Sequence, residues 1–228
     1  VIRRRCGEVG VTPKMVSAPL SVTPADDSSA GRVCATFETR NDQYSNVCLG
    51  LRGRHQALNA ATAIVLAEAL YGRGFDISRL VILSGLRKAR HPGRLEMLAS
   101  DPPILLDGAH NPAAAQALRD YLEEFVQQPV TLVFGAMRDK RLSDMAEILF
   151  PVAEQIVLTQ LDNPRAAGIE QLKAVLPSTV DATKIHEAES VEEALRTARA
   201  NTDPTSMILV TGSLYLVGAV RETVIRQD

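Results

Sequence analysis

The chain has 228 residues, 46% of them hydrophobic, and its 25 Lys and Arg nearly balance its 27 Asp and Glu. A near-neutral chain without Trp gives no support to a nucleic-acid surface, and its hydrophobic share suits a buried core. No apolar run approaches the roughly 20 residues of a membrane span. We therefore expect a soluble protein that binds neither nucleic acid nor a membrane. We also expect it to be cytoplasmic and a monomer, although the sequence itself does not fix the oligomeric state.

The three cysteines are odd in number and show no metal-ligand spacing. We expect no signal peptide ahead of them. The residues therefore predict reduced thiols in a cytosolic protein, at Cys6, Cys34 and Cys48.

The first 32 residues predict little regular structure, and two strands are expected between them and residue 51. Prolines and the polar run at residues 26–31 indicate loops with one or two short strands up to residue 32. Residues 33–39 and 45–51 are β-like and separated by a polar stretch, which predicts a hairpin.

Two helices are expected next. Residues 56–70 are rich in alanine and apolar nearly all round, so this helix should be buried on most sides. Asn59, in its first turn, is either a core amide bonded to a neighbouring loop or a ligand group. Asp76 can cap a second helix that runs to about residue 86. The basic run at residues 87–90 reads as a solvated linker, and we place a domain boundary near residue 90.

From residue 91 onward, strand-like and helical segments alternate. Such alternation predicts an α/β fold with a mostly parallel six-stranded sheet and helices on both faces. The predicted strands are residues 94–98, 104–107, 131–135, 155–159, 184–186 and 207–211, and the predicted helices are residues 112–127, 142–150, 168–176, 191–200 and 214–227.

The stretch around residue 107 carries the clearest chemistry. A short apolar strand ends there in a carboxylate, a flexible turn, an imidazole, a capping asparagine and a proline suited to a first helical position, at residues 107–112. An open α/β sheet binds its ligand outside the carboxyl ends of such strands.

Two charged residues in this region have open alternatives. Arg94 follows a Pro-Gly turn and offers a fork of donors to phosphate oxygens, or it pairs at the surface with Glu96 or Asp101. Asp107 could accept the hydroxyls of a ribose, or it could merely cap the next helix.

Two further side chains could meet an anion. His110 lies at the edge of the same turn, where an imidazole can donate to a carboxylate or a phosphate, although a lone histidine is usually structural. Ser213 begins the last predicted helix, where backbone N–H groups favour an anion. A serine that only caps the helix is compatible with this role.

Motifs from three regions, in order along the chain, carry a family resemblance. Residues 53–61 read GRHQALNAA, residues 92–96 and 107–112 read PGRLE and DGAHNP, and residues 210–215 read VTGSLY. These motifs resemble those of folylpolyglutamate synthase and dihydrofolate synthase, members of the Mur ligase superfamily. The resemblance extends over residues 45–228.

The resemblance implies an ATP-dependent ligase. In such enzymes ATP phosphorylates a folate or dihydropteroate carboxylate, and the amino group of L-glutamate then displaces phosphate to form an amide. It implies ATP contacts for Asn59, Arg94 and Asp107. It also implies a place at the reaction centre and the glutamate for His110, and a glutamate contact for Ser213. The pair Asp139 and Lys140 resembles a motif on the nucleotide side, but a solvated loop remains open.

The resemblance also implies the domain organisation. Residues 91–228 would be a Rossmann-like Mur ligase C-terminal domain, and residues 1–90 the tail of the central ATP-binding domain. The family's Mg²⁺ ligands, P-loop lysine and carbamylated lysine are expected upstream, since no GxxxxGK[ST] occurs here and the chain begins with Val1. We therefore expect a C-terminal half that needs the N-terminal portion of the same enzyme and is inactive alone.

Two alternatives remain open. One is another amino-acid ligase of the Mur type. The other is a naturally short, non-catalytic module that binds a nucleotide or a protein partner. An exposed apolar face on residues 1–90 would favour the fragment, because its missing partner should have covered that face.

Overall fold

The computed structural model describes residues 1–25 and 31–226. Most of the polar run predicted as a loop at residues 26–31 thus lies outside the described residues. The chain divides into two compact units. Within the described residues, the first unit comprises residues 1–25, 32–50 and 54–89, and the second comprises Gly31 and residues 51–53 and 90–226.

The first unit combines a small sheet with helices. Its three strands lie in the order β1-β2-β3, with β1 antiparallel to β2, and the short connection between β2 and β3 agrees with the predicted hairpin. A short helix at the start was not predicted. The elements are α1 (Ile2–Glu8), β1 (Ser21–Pro24), β2 (Arg32–Glu38), β3 (Gln43–Arg52), α2 (His55–Tyr71) and α3 (Arg79–Lys88).

Two predictions about these helices are wrong. Helix α2 buries only one side, since Leu58 and Leu66 are 53% and 60% exposed. Apolar composition alone does not tell which side of a helix has a neighbour. Helix α3 is capped by Ser78, whose hydroxyl accepts the N–H of Val81 at 3.4 Å, and not by Asp76.

The prediction of three reduced thiols is also wrong. Cys34 and Cys48 form a disulfide, and Cys6 is free. The two bonded cysteines belong to the neighbouring strands β2 and β3. Cysteine spacing could not reveal this pairing, because it depends on the register of the two strands.

The second unit contains the larger sheet. Five strands run parallel in the order β5-β9-β6-β7-β8, and β4 lies antiparallel at the edge beside β5. Its elements are β4 (Glu96–Leu98), β5 (Ile104–Leu106), α4 (Pro112–Phe125), β6 (Val130–Phe134), α5 (Leu142–Leu149), β7 (Gln155–Thr159), α6 (Ile169–Lys173), β8 (Ile185–Ala188), α7 (Val191–Asn201), β9 (Met207–Thr211) and α8 (Leu214–Ile225).

Helices cover both faces of this sheet, because successive strand residues point to opposite sides. Leu105 packs on the face covered by α4, α5 and α6, whereas its neighbours Ile104 and Leu106 pack on the face covered by α7 and α8. The predicted α/β fold with a mostly parallel six-stranded sheet is therefore confirmed. None of the helices in the described part of the chain is long and apolar enough to cross a membrane.

Candidate functional site

Three loops meet at the carboxyl ends of strands β5 and β9. The N–H of Asp107 donates to the carbonyl of Val210 at 3.1 Å, and that of Gly212 donates to Ala109 at 3.0 Å. The turn before β4 joins them, since Gly108 N–H donates to the carbonyl of Gly93 at 2.8 Å. These bonds bring together the loops that carry Arg94, Asp107, His110 and Ser213.

Asp107 is the buried charge of this site. Its side chain is 5% exposed, and its two oxygens accept the N–H groups of Leu95 at 3.0 Å and Ala109 at 2.9 Å. Burial raises the pKa of the Asp107 carboxyl, and these two hydrogen bonds and the nearby charges lower it only in part. Asp107 does not cap the next helix, because Asn111 performs that role.

Arg94 lies in a turn with unusual backbone geometry. Gly93 has a φ of +71° and Leu95 a φ of +44°, and the N–H of Arg94 donates to His91 at 3.1 Å. The half-buried guanidinium is close enough to Asp107 to lower the pKa of that carboxyl. Glu96, one of two carboxylates expected to pair with Arg94, pairs with Arg221 instead.

The contact of one ring nitrogen of His110 shows which nitrogen is the hydrogen-bond donor. Its Nδ1 lies 2.8 Å from the carbonyl oxygen of Gly108, which can only accept a hydrogen bond. In the neutral ring Nδ1 therefore carries the proton, and Nε2 is the acceptor nitrogen. The side chain is half-buried, so it is not a closed core residue.

Ser213 begins helix α8, as the sequence predicted. Its hydroxyl oxygen accepts the N–H of Tyr215 at 3.2 Å, and the residue is 3% exposed. Before it, the fully buried Thr211 has a hydroxyl with no hydrogen-bond partner among the described residues. Thr211 lies in the VTGSLY motif of residues 210–215, but its unpaired hydroxyl was not predicted, because it follows only from the packing around it.

Close backbone approaches shape the site. A Cβ added to Gly108 would lie 2.2 Å from the end of the Leu214 side chain, so a larger residue there would require that side chain to move. A Cβ on Gly212, whose φ is +103°, would lie 2.7 Å from the carbonyl of Gly135. The strand-end loops are therefore packed as one assembly.

The other candidate residues lie apart from this cluster in the chain. Asn59 belongs to the first unit, where its exposed amide donates to Gln56 at 2.9 Å, so it is not a core amide bonded to a loop. Lys140 contacts Asp139 at 3.5 Å in the loop after β6, and both are partly exposed. No group of three or more His, Cys, Asp and Glu side chains suited to a metal ion occurs within residues 1–25 and 31–226.

Comparisons with known proteins identify the second unit. The family model described as the Mur ligase, glutamate ligase domain matches residues 93–214. A probable bifunctional folylpolyglutamate synthase/dihydropteroate synthase of Haloferax volcanii is 34% identical over 98% of this chain and 26% of its own length. A dihydrofolate synthase/folylpolyglutamate synthase of Bacillus subtilis is 32% identical over 82% of this chain and 43% of its own.

The fold agrees with a solved structure. The folylpolyglutamate synthase of Mycobacterium tuberculosis, complexed with ADP and AMPPCP, superposes with a TM-score of 0.86 at 27% identity. The alignment covers 100% of this chain and 52% of that structure. The chain thus spans about half the length of this structure and less than half of both curated relatives. The motif-based resemblance is confirmed, and the chain belongs to the Mur ligase family through its glutamate ligase domain.

Proposed function

We propose that this chain supplies one wall of the active site of an ATP-dependent ligase, which adds L-glutamate to a folate or dihydropteroate carboxylate. ATP supplies the phosphoryl group that converts the carboxylate into an acyl phosphate. The amino group of glutamate then attacks the acyl carbon, and phosphate leaves with the bonding electrons as the amide forms.

The observation that carries the proposal is the convergence of a guanidinium, a buried carboxylate, an imidazole and a helix N-cap at one edge of the parallel sheet. The four groups are those of Arg94, Asp107, His110 and Ser213. A phosphoryl transfer needs positive charge near the phosphoryl oxygens and a nucleophile held in line. This edge offers positive charge through Arg94 and a helix N-terminus that favours the carboxylate of an amino acid, in a chain whose relatives are named as folylpolyglutamate and dihydrofolate synthases.

Nucleotide binding is assigned to Arg94 and Asp107 in the second unit, and the motif resemblance alone assigns the same role to Asn59. The Arg94 fork suits phosphate oxygens, and Glu96 does not compete for it because Glu96 is bound to Arg221. Asp107 fixes the backbone on both sides of the loop, through Leu95 and Ala109. The solved relative in complex with ADP and AMPPCP supports a nucleotide on this enzyme type.

Glutamate binding is assigned to His110 and Ser213. The first-turn N–H groups of α8 favour a carboxylate at this helix end. The proton on Nδ1 of His110 is held by the carbonyl oxygen of Gly108, so Nε2 of the neutral ring is an acceptor that can take a proton from the incoming amine.

The Mg²⁺ ligands, the P-loop and the folate contacts are assigned to polypeptide outside these 228 residues. The surface of the first unit supports this assignment. Among the described residues, most large apolar side chains that are exposed belong to that unit, including Leu58, Leu66, Tyr71, Phe75 and Leu80. In the second unit the described examples are Leu214, Tyr215 and Ile225. Such a surface favours a covering partner from the same enzyme over a self-contained binding module.

The test uses the complete natural reading frame that contains this chain. Glutamate incorporation into dihydropteroate and into a reduced folate is measured with ATP. Arg94→Ala should lower kcat/KM for ATP about tenfold or more, the scale of losing one charged contact worth about 1.4 kcal/mol. Arg226→Ala is the matched control, since this arginine at the end of α8 is 76% exposed and, in the described part of the chain, its ion pair is with the exposed Glu222.

Two outcomes would contradict the proposal. If the unsubstituted protein binds ATP but forms no glutamyl product, the proposed ligase activity is wrong. If Arg94→Ala has unchanged kinetics, the assignment of this turn to nucleotide binding is wrong.

A further inference from the structure

Glu96 holds two partners at once. Its Oε2 accepts the N–H of Gly93 at 2.7 Å, and both of its carboxylate oxygens lie 3.0 Å from Nε of Arg221. Gly93 belongs to the turn before β4, whereas Arg221 belongs to α8. One carboxylate thus connects the turn that carries Arg94 with the last helix.

Gly93 is held by hydrogen bonds at both its N–H and its carbonyl, and it has no room for a side chain. Its N–H is bound to Glu96, and its carbonyl accepts the N–H of Gly108 at 2.8 Å. A Cβ at this residue would lie 2.7 Å from a methyl group of Val217 on α8. The peptide that leads into Arg94 therefore has little freedom, and Glu96 supplies one of its restraints.

The pair is poorly placed to act mainly through stability. The side chains of Glu96 and Arg221 are 21% and 37% exposed, and ion pairs with this access to water contribute little to folding. The hydrogen bond from Gly93 is different, because a hydrogen bond from a backbone N–H to a carboxylate is short and directional. Glu96 therefore contributes mainly to the position of the Gly93 peptide and little to the free energy of unfolding.

We propose that Glu96 and Arg221 are positioning residues. Together they hold the turn that carries Arg94 in a fixed position relative to helix α8, which Ser213 caps. This inference rests on the proposed ligase, and neither residue is assigned a contact with substrate. Because Glu96 acts on Arg94, its loss should weaken ATP binding before it affects the glutamate side.

The experiment uses the same full-length protein with variants that separate the two partners of Glu96. Glu96→Ala removes both bonds and should raise KM for ATP about tenfold, while KM for glutamate changes less than threefold. Glu96→Gln keeps an acceptor for Gly93, so it should raise KM for ATP less than Glu96→Ala. Arg221→Lys keeps the ion pair and should stay near the unsubstituted protein. Glu222→Gln, in an exposed pair on the same helix, is the matched control.

A charge swap gives the sharpest distinction. Glu96→Arg with Arg221→Glu restores an ion pair and should recover thermal stability. It cannot restore an acceptor for Gly93, so KM for ATP should stay raised and amide hydrogen exchange at Gly93 should stay fast. A swap that restores both readouts, or a Glu96→Ala protein with unchanged KM and Gly93 exchange, would overturn the inference.

The direct dissociation constant of ATP separates this inference from the proposed function. If the protein binds ATP but forms no glutamyl product, the ligase proposal fails while the same variants still decide the role of Glu96 by affinity. If the unsubstituted protein binds no ATP, both proposals are overturned.

Discussion

The carboxylate of Asp107 accepts the backbone N–H of Leu95 at 3.0 Å, and Leu95 is a buried residue with a φ of +44°. Positive φ is uncommon for a leucine. The hydrogen bond helps to hold this conformation, and with it the turn that carries Arg94. The aspartate after β5 thus organises the loop that follows this strand and the turn before β4.

We predict that Asp107→Asn destabilises the protein by about 1–3 kcal/mol at neutral pH. An asparagine has one acceptor oxygen, so either Leu95 or Ala109 loses its partner for a buried N–H. Relief of the buried negative charge offsets part of this loss. Denaturant unfolding at pH 7 measures the difference.

The difference in stability between the unsubstituted protein and Asp107→Asn should depend on pH. Burial raises the pKa of Asp107 above its usual 3.8, so the folded state holds the proton more tightly than the unfolded state. Its contribution to stability is present below pH 3.8 and is lost as pH rises through the folded pKa. The stability gap between the unsubstituted protein and Asp107→Asn should therefore shrink as pH rises from about 4. A gap that widened would show that burial does not dominate.

Periodicity was enough to predict the larger sheet. Strands β7 and β9 have the predicted bounds of 155–159 and 207–211, because buried parallel strands are short, continuous apolar runs. It failed in the first unit for a physical reason. An apolar helix such as α2 looks the same in sequence whether a neighbour covers it or not.

Motifs selected the residues of the candidate site, but they did not predict the contacts among them. From the residues alone, a surface pair of Arg94 with Glu96 or Asp101 stayed open. Glu96 instead pairs with Arg221, which is 125 residues away from it in the chain. A pairing of this kind depends on where α8 packs, and one sequence carries no signal for that.

Substitution of two glycines by alanine should have opposite effects on stability, because one glycine has a positive φ and the other lies at an open helical position. Gly212→Ala should destabilise the protein by at least about 2 kcal/mol, since its φ is +103° and a Cβ would meet the carbonyl of Gly135. Gly218→Ala, in an open position of α8, should stabilise it by about 0.5–1 kcal/mol. Thermal unfolding of both variants measures these opposite signs, and equal effects would contradict the packing at Gly212.

Tyr44 should govern alkaline stability in the first unit. The residue is 2% exposed and its hydroxyl donates to Glu68 at 3.1 Å. Burial, with help from this bond, raises the pKa of Tyr44 from 10.0 to about 12. Its contribution is fully present below pH 10 and is lost as pH rises to about 12, by roughly 2–3 kcal/mol at most.

Tyr44→Phe tests this assignment. The variant should be about 1 kcal/mol less stable at pH 8, because Glu68 loses one donor. That deficit should vanish or reverse between pH 10 and 12, since phenylalanine has no proton to lose. A constant deficit across this range would place the phenol in contact with water.

Ser213 can be tested for its two roles with a pair of substitutions. Ser213→Ala removes the cap of α8 and should cost about 1 kcal/mol, whereas Ser213→Gly should cost only a few tenths, because glycine is tolerated at an N-cap. Both variants lack the hydroxyl. If the hydroxyl contacts glutamate, both should raise KM for glutamate by a similar factor of about fivefold to tenfold, the usual scale for about 1 kcal/mol of a hydrogen bond. If Ser213 only caps the helix, the change in KM should follow the loss of stability, and Ser213→Gly should resemble the unsubstituted protein. The KM for ATP in the same assays is the internal reference, since Ser213 is assigned to the glutamate side.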